Sequence, residues 1–145
     1  MILVDTNILL YAYDKVSTWH SAASTWLLEA FENEAVLRFA EVTLLGFLRI
    51  TTDSRLVKMA RPIEEVASIV DGWLDRENVG LLEPTYRHWL LLRELLVDSR
   101  STGGRVTDAH LAALAIEHGA TLCTNDRDFR RFPSLSVRFP LLDPA

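Results

Sequence analysis

The chain has 145 residues, 49% of them hydrophobic, which is enough apolar material for one sizeable core. Its single cysteine, Cys123, cannot form an internal disulfide, and the spacing of Cys and His contains no zinc-ligand pattern. The net charge of −5 gives no broad basic surface for nucleic acid, and the start of the chain shows neither a secretory signal nor a membrane span. We therefore expect one soluble domain over residues 1–145 in a reducing cytoplasm.

Short apolar runs alternate with helical patterns along the chain. In chain order the predicted elements are strand 1–4, helix 8–13, helix 21–31, strand 35–39, helix 42–50, a helix starting at Pro62, strand 78–82, helix 86–99, helix 109–118, and strands 120–124 and 136–139. Strands that alternate with helices predict an α/β fold with a central, mainly parallel sheet flanked by helices.

Local signals define several of these boundaries. Asn7 is predicted to cap the first helix, and Gly119 to end the helix over 109–118. Gly103 and Gly104 interrupt the helical pattern, so that this late helix is expected to open at Thr107 and Asp108.

Aspartates stand at positions where a parallel sheet collects ligands. Asp5 follows the first strand, Asp126 and Asp128 follow a late one, and Asp108 lies at the start of a helix. Ligands in open α/β sheets bind beyond the carboxyl ends of the strands, and carboxylate oxygens are preferred by Mg²⁺ and Mn²⁺. The sequence therefore predicts a divalent metal site held by separated aspartates.

Four motifs in this order resemble the PIN domain of VapC-type toxins. They are Val4–Ala12, Gly46–Thr52, Val106–Ala113 and Thr124–Phe129. The resemblance implies a PIN-like domain with Mg²⁺-dependent endoribonuclease activity, the toxin of a type II toxin–antitoxin pair. It implies a VapB-type antitoxin as partner, an RNA substrate and a homodimer. It also implies metal ligation by Asp5 and Asp108, with Asp126 completing the acidic pocket.

One position departs from the usual PIN pattern. Many PIN domains carry a glutamate where this chain has Gly46. Glu41 lies about 140° away from Gly46 around an ideal helix, so it replaces that glutamate only if the helix begins later than predicted. The departure leaves an alternative open, in which the chain is a catalytically weak or inactive PIN-like module that binds RNA or a protein partner.

Further residues are predicted to support the site. Asp128, Asn7 and Thr107 are expected to orient the metal-binding carboxylates or a bound water. Arg49 and Arg127 belong to two basic clusters that are candidate RNA contacts, although either cluster equally fits a solvated face or an antitoxin-docking surface.

Asn7 also argues against a phosphatase of the haloacid dehalogenase type, which needs a second aspartate at that place.

Overall fold

Five short strands form the centre of the structure, a computed structural model that describes residues 1–141. The strands are β1 (Ile2–Val4), β2 (Leu37–Ala40), β3 (Val79–Leu82), β4 (Thr121–Cys123) and β5 (Val137–Arg138). Their order across the sheet is β3-β2-β1-β4-β5, and every neighbouring pair is parallel. The predicted α/β fold with a mainly parallel sheet is confirmed, and β1 lies at its centre.

Helices cover both faces of the sheet. The α-helices of residues 1–141 are α1 (Thr6–Tyr13), α2 (His20–Asn33), α3 (Glu41–Thr51), α4 (Ile63–Leu74), α5 (His88–Ser99) and α6 (Arg105–Glu117). Side chains alternate across β1, so that Ile2 and Val4 pack into one core with α1, α2 and α4, while Leu3 packs into a second core with α5 and α6. A 3₁₀ helix (Arg127–Arg131) follows β4 and adds Phe129 to the second core.

Two predicted helix starts are wrong. The N-cap of α1 is Asp5 and not Asn7, because the Asp5 carboxylate accepts a hydrogen bond from the Thr6 N–H (2.7 Å) and the helix begins at Thr6. Helix α6 begins at Arg105, directly after Gly104 and before the predicted start, whereas Asp108 lies in its first turn as predicted. Gly119, with φ +65°, follows the end of this helix as predicted.

The remaining predicted elements are present, with ends that move by at most two residues. Residues 142–145, the end of the expected domain range, lie outside the described residues. None of the helices in residues 1–141 has the length and apolar character needed to cross a bilayer.

Candidate active site

The carboxyl ends of β1 and β4 lie side by side and bring two aspartates to one edge of the sheet. Val4 pairs with Cys123, and the Asp5 N–H donates to the Cys123 carbonyl (3.0 Å), which extends the backbone ladder one residue beyond β1. Asp126 follows the end of β4 and caps the 3₁₀ helix. Both aspartates therefore lie at the strand ends where the sequence places them.

The Asp5 carboxylate is held by three hydrogen-bond donors. Oδ1 accepts from the Thr6 N–H (2.7 Å), and Oδ2 accepts from the Thr124 hydroxyl (2.7 Å) and the Asn7 amide (3.2 Å). Burial nevertheless raises the pKa of Asp5 from 3.8 to about 6. The hydrogen bonds from Thr124 and Thr6 lower this pKa, whereas the negative charges of Asp108 and Asp126 raise it further.

Asn7 and Thr124 connect α1 to the segment after β4. The Asn7 side chain donates to Thr124 Oγ1 (3.1 Å), and its Oδ1 accepts from the Asn125 N–H (3.1 Å). Thr124 is fully buried and accepts from the Asp126 N–H (3.0 Å). Asn7 thus contacts Asp5, as expected for a residue that orients it. Thr124 was not among the predicted site residues, although it begins the motif Thr124–Phe129 and is a hydroxyl residue directly after a buried strand.

Asp108 reaches the same region from α6. It is partly buried, and this burial is the main reason that its pKa is raised. The neighbouring carboxylate of Asp126 raises the pKa further, and the guanidinium of Arg131 lowers it. The negative charge of Asp126 therefore acts on Asp108 in the folded chain.

A cleft of about 570 Å³ contains all three of these aspartates. Its lining comprises Asp5, Thr6, Asn7, Leu10, Val42, Leu45, Gly46, Arg49, Ile50, Gly104, Thr107, Asp108 and Asp126. The predicted residues Arg49 and Thr107 lie on its exposed rim, one on α3 and the other on α6. The structure therefore gathers residues from α1, α3, α6 and the segment after β4 around one space.

Three other predicted residues do not line this cleft. Helix α3 begins at Glu41, one residue earlier than predicted, and Glu41 is exposed. The geometry therefore does not place Glu41 as a substitute for the missing glutamate. Asp128 is also exposed, and it pairs with Arg131 (3.3 Å) while its N–H donates to Asp126 Oδ1 (2.9 Å). Arg127 is exposed at the first residue of the 3₁₀ helix.

Gly46 lies on the cleft wall against Thr6. A Cβ atom at position 46 would lie 3.3 Å from Thr6 Cγ2 and 3.4 Å from Thr6 Oγ1, closer than most Cβ contacts. Thr6 is itself held in place, since its hydroxyl donates to the Thr43 carbonyl (3.3 Å). The absence of a side chain at Gly46 thus allows α1 and α3 to approach closely.

The aspartates form an open acidic site. Among residues 1–141, no three His, Cys, Asp or Glu side chains are grouped tightly enough to enclose a metal ion. The negative charges of Asp108 and Asp126 nevertheless raise the pKa of Asp5, that of Asp126 also raises the pKa of Asp108, and a bound cation relieves such repulsion. Carboxylate oxygens suit Mg²⁺, which usually takes one or two of them and keeps several waters. The donor set therefore fits a divalent cation that retains much of its hydration.

Comparison with known proteins assigns the family. Residues 2–135 match the PIN domain. The chain belongs to the PIN domain family. This PIN domain is 39% identical over 132 residues to Ribonuclease VapC37 of Mycobacterium tuberculosis, a match that covers 91% of this chain and 92% of the relative. The predicted VapC type is therefore confirmed.

Solved structures support the same fold. The VapBC2 complex of Rickettsia felis, bound to a promoter DNA fragment, has a chain that aligns with a TM-score of 0.69 and 23% identity, covering 95% of this PIN domain and 98% of that chain. VapC20 of M. tuberculosis, described as a sarcin–ricin loop cleaving toxin, aligns with a TM-score of 0.69 and 18% identity, covering 96% and 100%. At these identities the likeness concerns the fold.

Proposed function

We propose that this PIN domain is a Mg²⁺-dependent endoribonuclease, the toxin of a type II toxin–antitoxin pair, which hydrolyses phosphodiester bonds in RNA. The observation that carries the proposal is the cleft in which Asp5, Asp108 and Asp126 meet from three distant segments of the chain. The ribonuclease names of its VapC relatives support the same activity.

Five residues of the cleft have a role in this proposal. Asp5 and Asp108 hold the metal ion, either Mg²⁺ or Mn²⁺, and Asp126 completes the acidic pocket. When bound, such an ion neutralises phosphate charge and activates water for attack on phosphorus. Asn7 fixes the orientation of Asp5 through its amide. Arg49 on the rim binds a phosphate of the RNA, because it brings a positive charge to an otherwise acidic cleft.

The test is RNA cleavage by single and double Asn variants. Asp5→Asn and Asp108→Asn keep side-chain volume and remove one negative charge each, so we expect cleavage in Mg²⁺ to be lost while the circular dichroism spectrum is retained. Asp98→Asn, on the exposed surface of α5, is the matched control and should cleave like the unaltered protein. Full cleavage by the double variant would refute the proposed mechanism.

Gly46 supports a second candidate function, a PIN module that binds RNA or a partner without cleaving. A cleft without the usual glutamate has fewer carboxylates for the metal. Titration with Mg²⁺ or Mn²⁺, followed by thermal unfolding and then by RNA cleavage, separates the two functions. Stabilisation by metal without any turnover of RNA would favour the binding module.

We propose a VapB-type antitoxin as the protein partner. The solved VapBC2 structure contains toxin and antitoxin together. This chain has an apolar groove of about 330 Å³ that is lined by residues of α1, α2, α3 and α4 and is suited to an apolar segment of such a partner. Leu28, which is 58% exposed, lies on the groove wall. Co-expression with the antitoxin and purification through a tag should recover both chains, and Leu28→Glu should prevent this recovery.

We further propose that the protein is a homodimer and acts in the cytoplasm, where its RNA substrate is found. Large apolar side chains are exposed together around the start of α5, including Trp89 at 62% and Leu90 at 72%. Surfaces of this kind mark protein interfaces. Light scattering should give twice the 16.4 kDa mass of the chain, and Trp89→Glu should return it to one chain.

A further inference from the structure

Thr124 directly follows β4 and forms hydrogen bonds to Asp5, at the end of β1, and to Asp126, after the end of β4. Its Oγ1 lies 2.7 Å from Asp5 Oδ2, 3.0 Å from the Asp126 backbone nitrogen and 3.1 Å from Asn7 Nδ2. The Thr124 side chain is fully buried, so its hydroxyl makes these contacts without competition from solvent. Two of these contacts come from the start of α1 and the third comes from the segment after β4.

The direction of each hydrogen bond follows from the chemistry of the partners. A threonine hydroxyl has one proton to donate and two lone pairs to accept. The Asp126 N–H is a donor only, and the Asn7 Nδ2 is also a donor, since Asn7 Oδ1 is already oriented by the Asn125 N–H (3.1 Å). Both lone pairs are therefore occupied, and the only hydroxyl proton points to Asp5.

This arrangement fixes the Asp5 carboxylate relative to Asp126. The Asp126 N–H donates to the Thr124 hydroxyl oxygen and thereby fixes the direction of the hydroxyl proton. That proton is donated to Oδ2 of Asp5. The same bond stabilises the ionised form of Asp5 and thereby lowers its pKa against the effect of burial.

We propose that Thr124 is a positioning residue, whose hydroxyl orients the Asp5 carboxylate toward a divalent cation and couples it to the Asp126 segment. The importance of this orientation for catalysis rests on the proposed function. A residue with only a structural role would stabilise the turn after β4 through the Asp126 N–H and leave the chemistry of Asp5 unchanged.

Two substitutions separate these roles. Thr124→Val keeps the shape of the side chain and removes the hydroxyl, whereas Thr124→Ser keeps the hydroxyl and removes the methyl group. For Thr124→Val we expect a loss of cleavage rate on the order of 10- to 100-fold, the usual effect of removing a group that orients a metal ligand. The KM for RNA should change little, and Thr124→Ser should recover most of the rate.

Two further measurements do not depend on activity. The Mn²⁺ concentration that gives half of the thermal stabilisation should rise in Thr124→Val by a similar factor. In metal-free protein, carboxyl NMR should show the pKa of Asp5 shifted upward in Thr124→Val and close to its original value in Thr124→Ser. Thr124→Ala also lacks the hydroxyl and serves for both measurements if the valine variant does not fold.

The proposal is overturned if the hydroxyl-free variants bind Mn²⁺ like the unaltered protein. It is equally overturned if Thr124→Ser is impaired as much as Thr124→Val, because the methyl group would then be the important part. Failure of the proposed function gives a different result, in which the unaltered protein itself does not cleave RNA. The Mn²⁺ concentrations that half-stabilise Thr124→Val and Thr124→Ser still decide the role of Thr124 in that case.

Discussion

The Asp5 carboxyl is under two opposing influences. The proposed metal binding requires it to be ionised, yet burial and the charges of Asp108 and Asp126 raise its pKa to about 6. In the unfolded chain the same group has a pKa near 3.8. The folded protein therefore binds the Asp5 proton more tightly than the unfolded chain does. The stability that this proton contributes is fully present below a pH of 3.8 and is lost as the pH rises through about 6.

This difference predicts a pH-dependent stability in the absence of metal. Between about pH 4 and pH 7, Asp5 should reduce the free energy of unfolding by about 3 kcal/mol, from a pKa shift of roughly two units. Urea denaturation in EDTA measures the effect as the difference between the unaltered protein and Asp5→Asn, which cancels the other titrating groups. Mg²⁺ added at pH 7 should restore stability only to the unaltered protein. A difference that does not vary with pH would contradict the assignment.

Gly46 allows a second prediction at the level of single residues. On a helix, alanine is more favourable than glycine by about 1 kcal/mol, but a Cβ atom here meets the Thr6 side chain at 3.3 Å. Gly46→Ala should therefore gain little stability in the unaltered protein and about 1 kcal/mol when Thr6→Ser has removed the Thr6 methyl group.

Denaturant unfolding of the four proteins in this double-mutant cycle measures the coupling between positions 46 and 6. Thr6→Ser removes the methyl group but keeps the hydroxyl that donates to the Thr43 carbonyl. The cycle therefore tests the methyl contact without loss of this hydrogen bond. An equal gain from Gly46→Ala in both backgrounds would show that Thr6 does not restrict this position.

At the level of elements, α5 and α6 are joined by a buried polar chain outside the cleft. The Glu117 side chain, only 1% exposed, accepts from the Thr85 N–H (3.0 Å) and lies 3.0 Å from His88 Nδ1. His88 Nε2 in turn lies 2.9 Å from His110 Nδ1. The partners are 22 to 32 residues apart, so no local spacing pattern in the sequence indicates this chain.

Removal of Glu117 should loosen this pair of helices. Glu117→Ala leaves the Thr85 N–H and the His88 imidazole without their acceptor, and we expect a loss of about 3 kcal/mol in urea denaturation. Glu94→Ala on the exposed side of α5 is the control and should change stability by less than about 0.5 kcal/mol. Equal effects of the two substitutions would argue against a role of the buried carboxylate.

Periodicity in the sequence is sufficient to predict the order and type of these elements, but not every boundary. The cap of α1 is an example, because Asp5 and Asn7 are both good capping residues by type. Asp5 becomes the cap since its backbone N–H is held by the Cys123 carbonyl at the end of β4, a contact across the sheet. Such a contact is decided by tertiary structure and not by local sequence.

At the scale of the whole molecule, the net charge of −5 opposes association with RNA. Arg49 is the one arginine that lines the described cleft. If it binds one phosphate of a single-stranded RNA, Arg49→Ala should weaken binding and reduce the slope of log affinity against log salt by about 0.7.

Filter binding or fluorescence anisotropy at several salt concentrations measures this slope. Arg93→Ala, which removes an exposed positive charge from α5, gives the same change in net charge and should leave the slope unaltered. An identical slope for Arg49→Ala and the unaltered protein would remove Arg49 from the RNA contact surface.

The candidate site was predictable from the sequence only in part. Asp5, Asp108 and Asp126 stand within recognisable motifs, and the cleft contains all three. The contact between Gly46 and Thr6, and the position of Thr124 between two strand ends, depend on segments that meet only in the folded chain. Neither periodicity nor motif spacing predicts which side chains of distant segments come into contact.

The pairing of the central strand β1 with β4 also has a consequence for protein synthesis. Ile2 pairs with Thr121, which the ribosome adds 119 residues later, so at about 5–20 residues per second roughly 6–24 s separate the two strands. Until then Asp5 lacks its neighbours from β4 and the Asp126 segment, and the cleft is incomplete. A nascent chain, or a fragment released before β4, therefore has no assembled site, and any damage to cellular RNA begins only after translation of the chain is nearly finished.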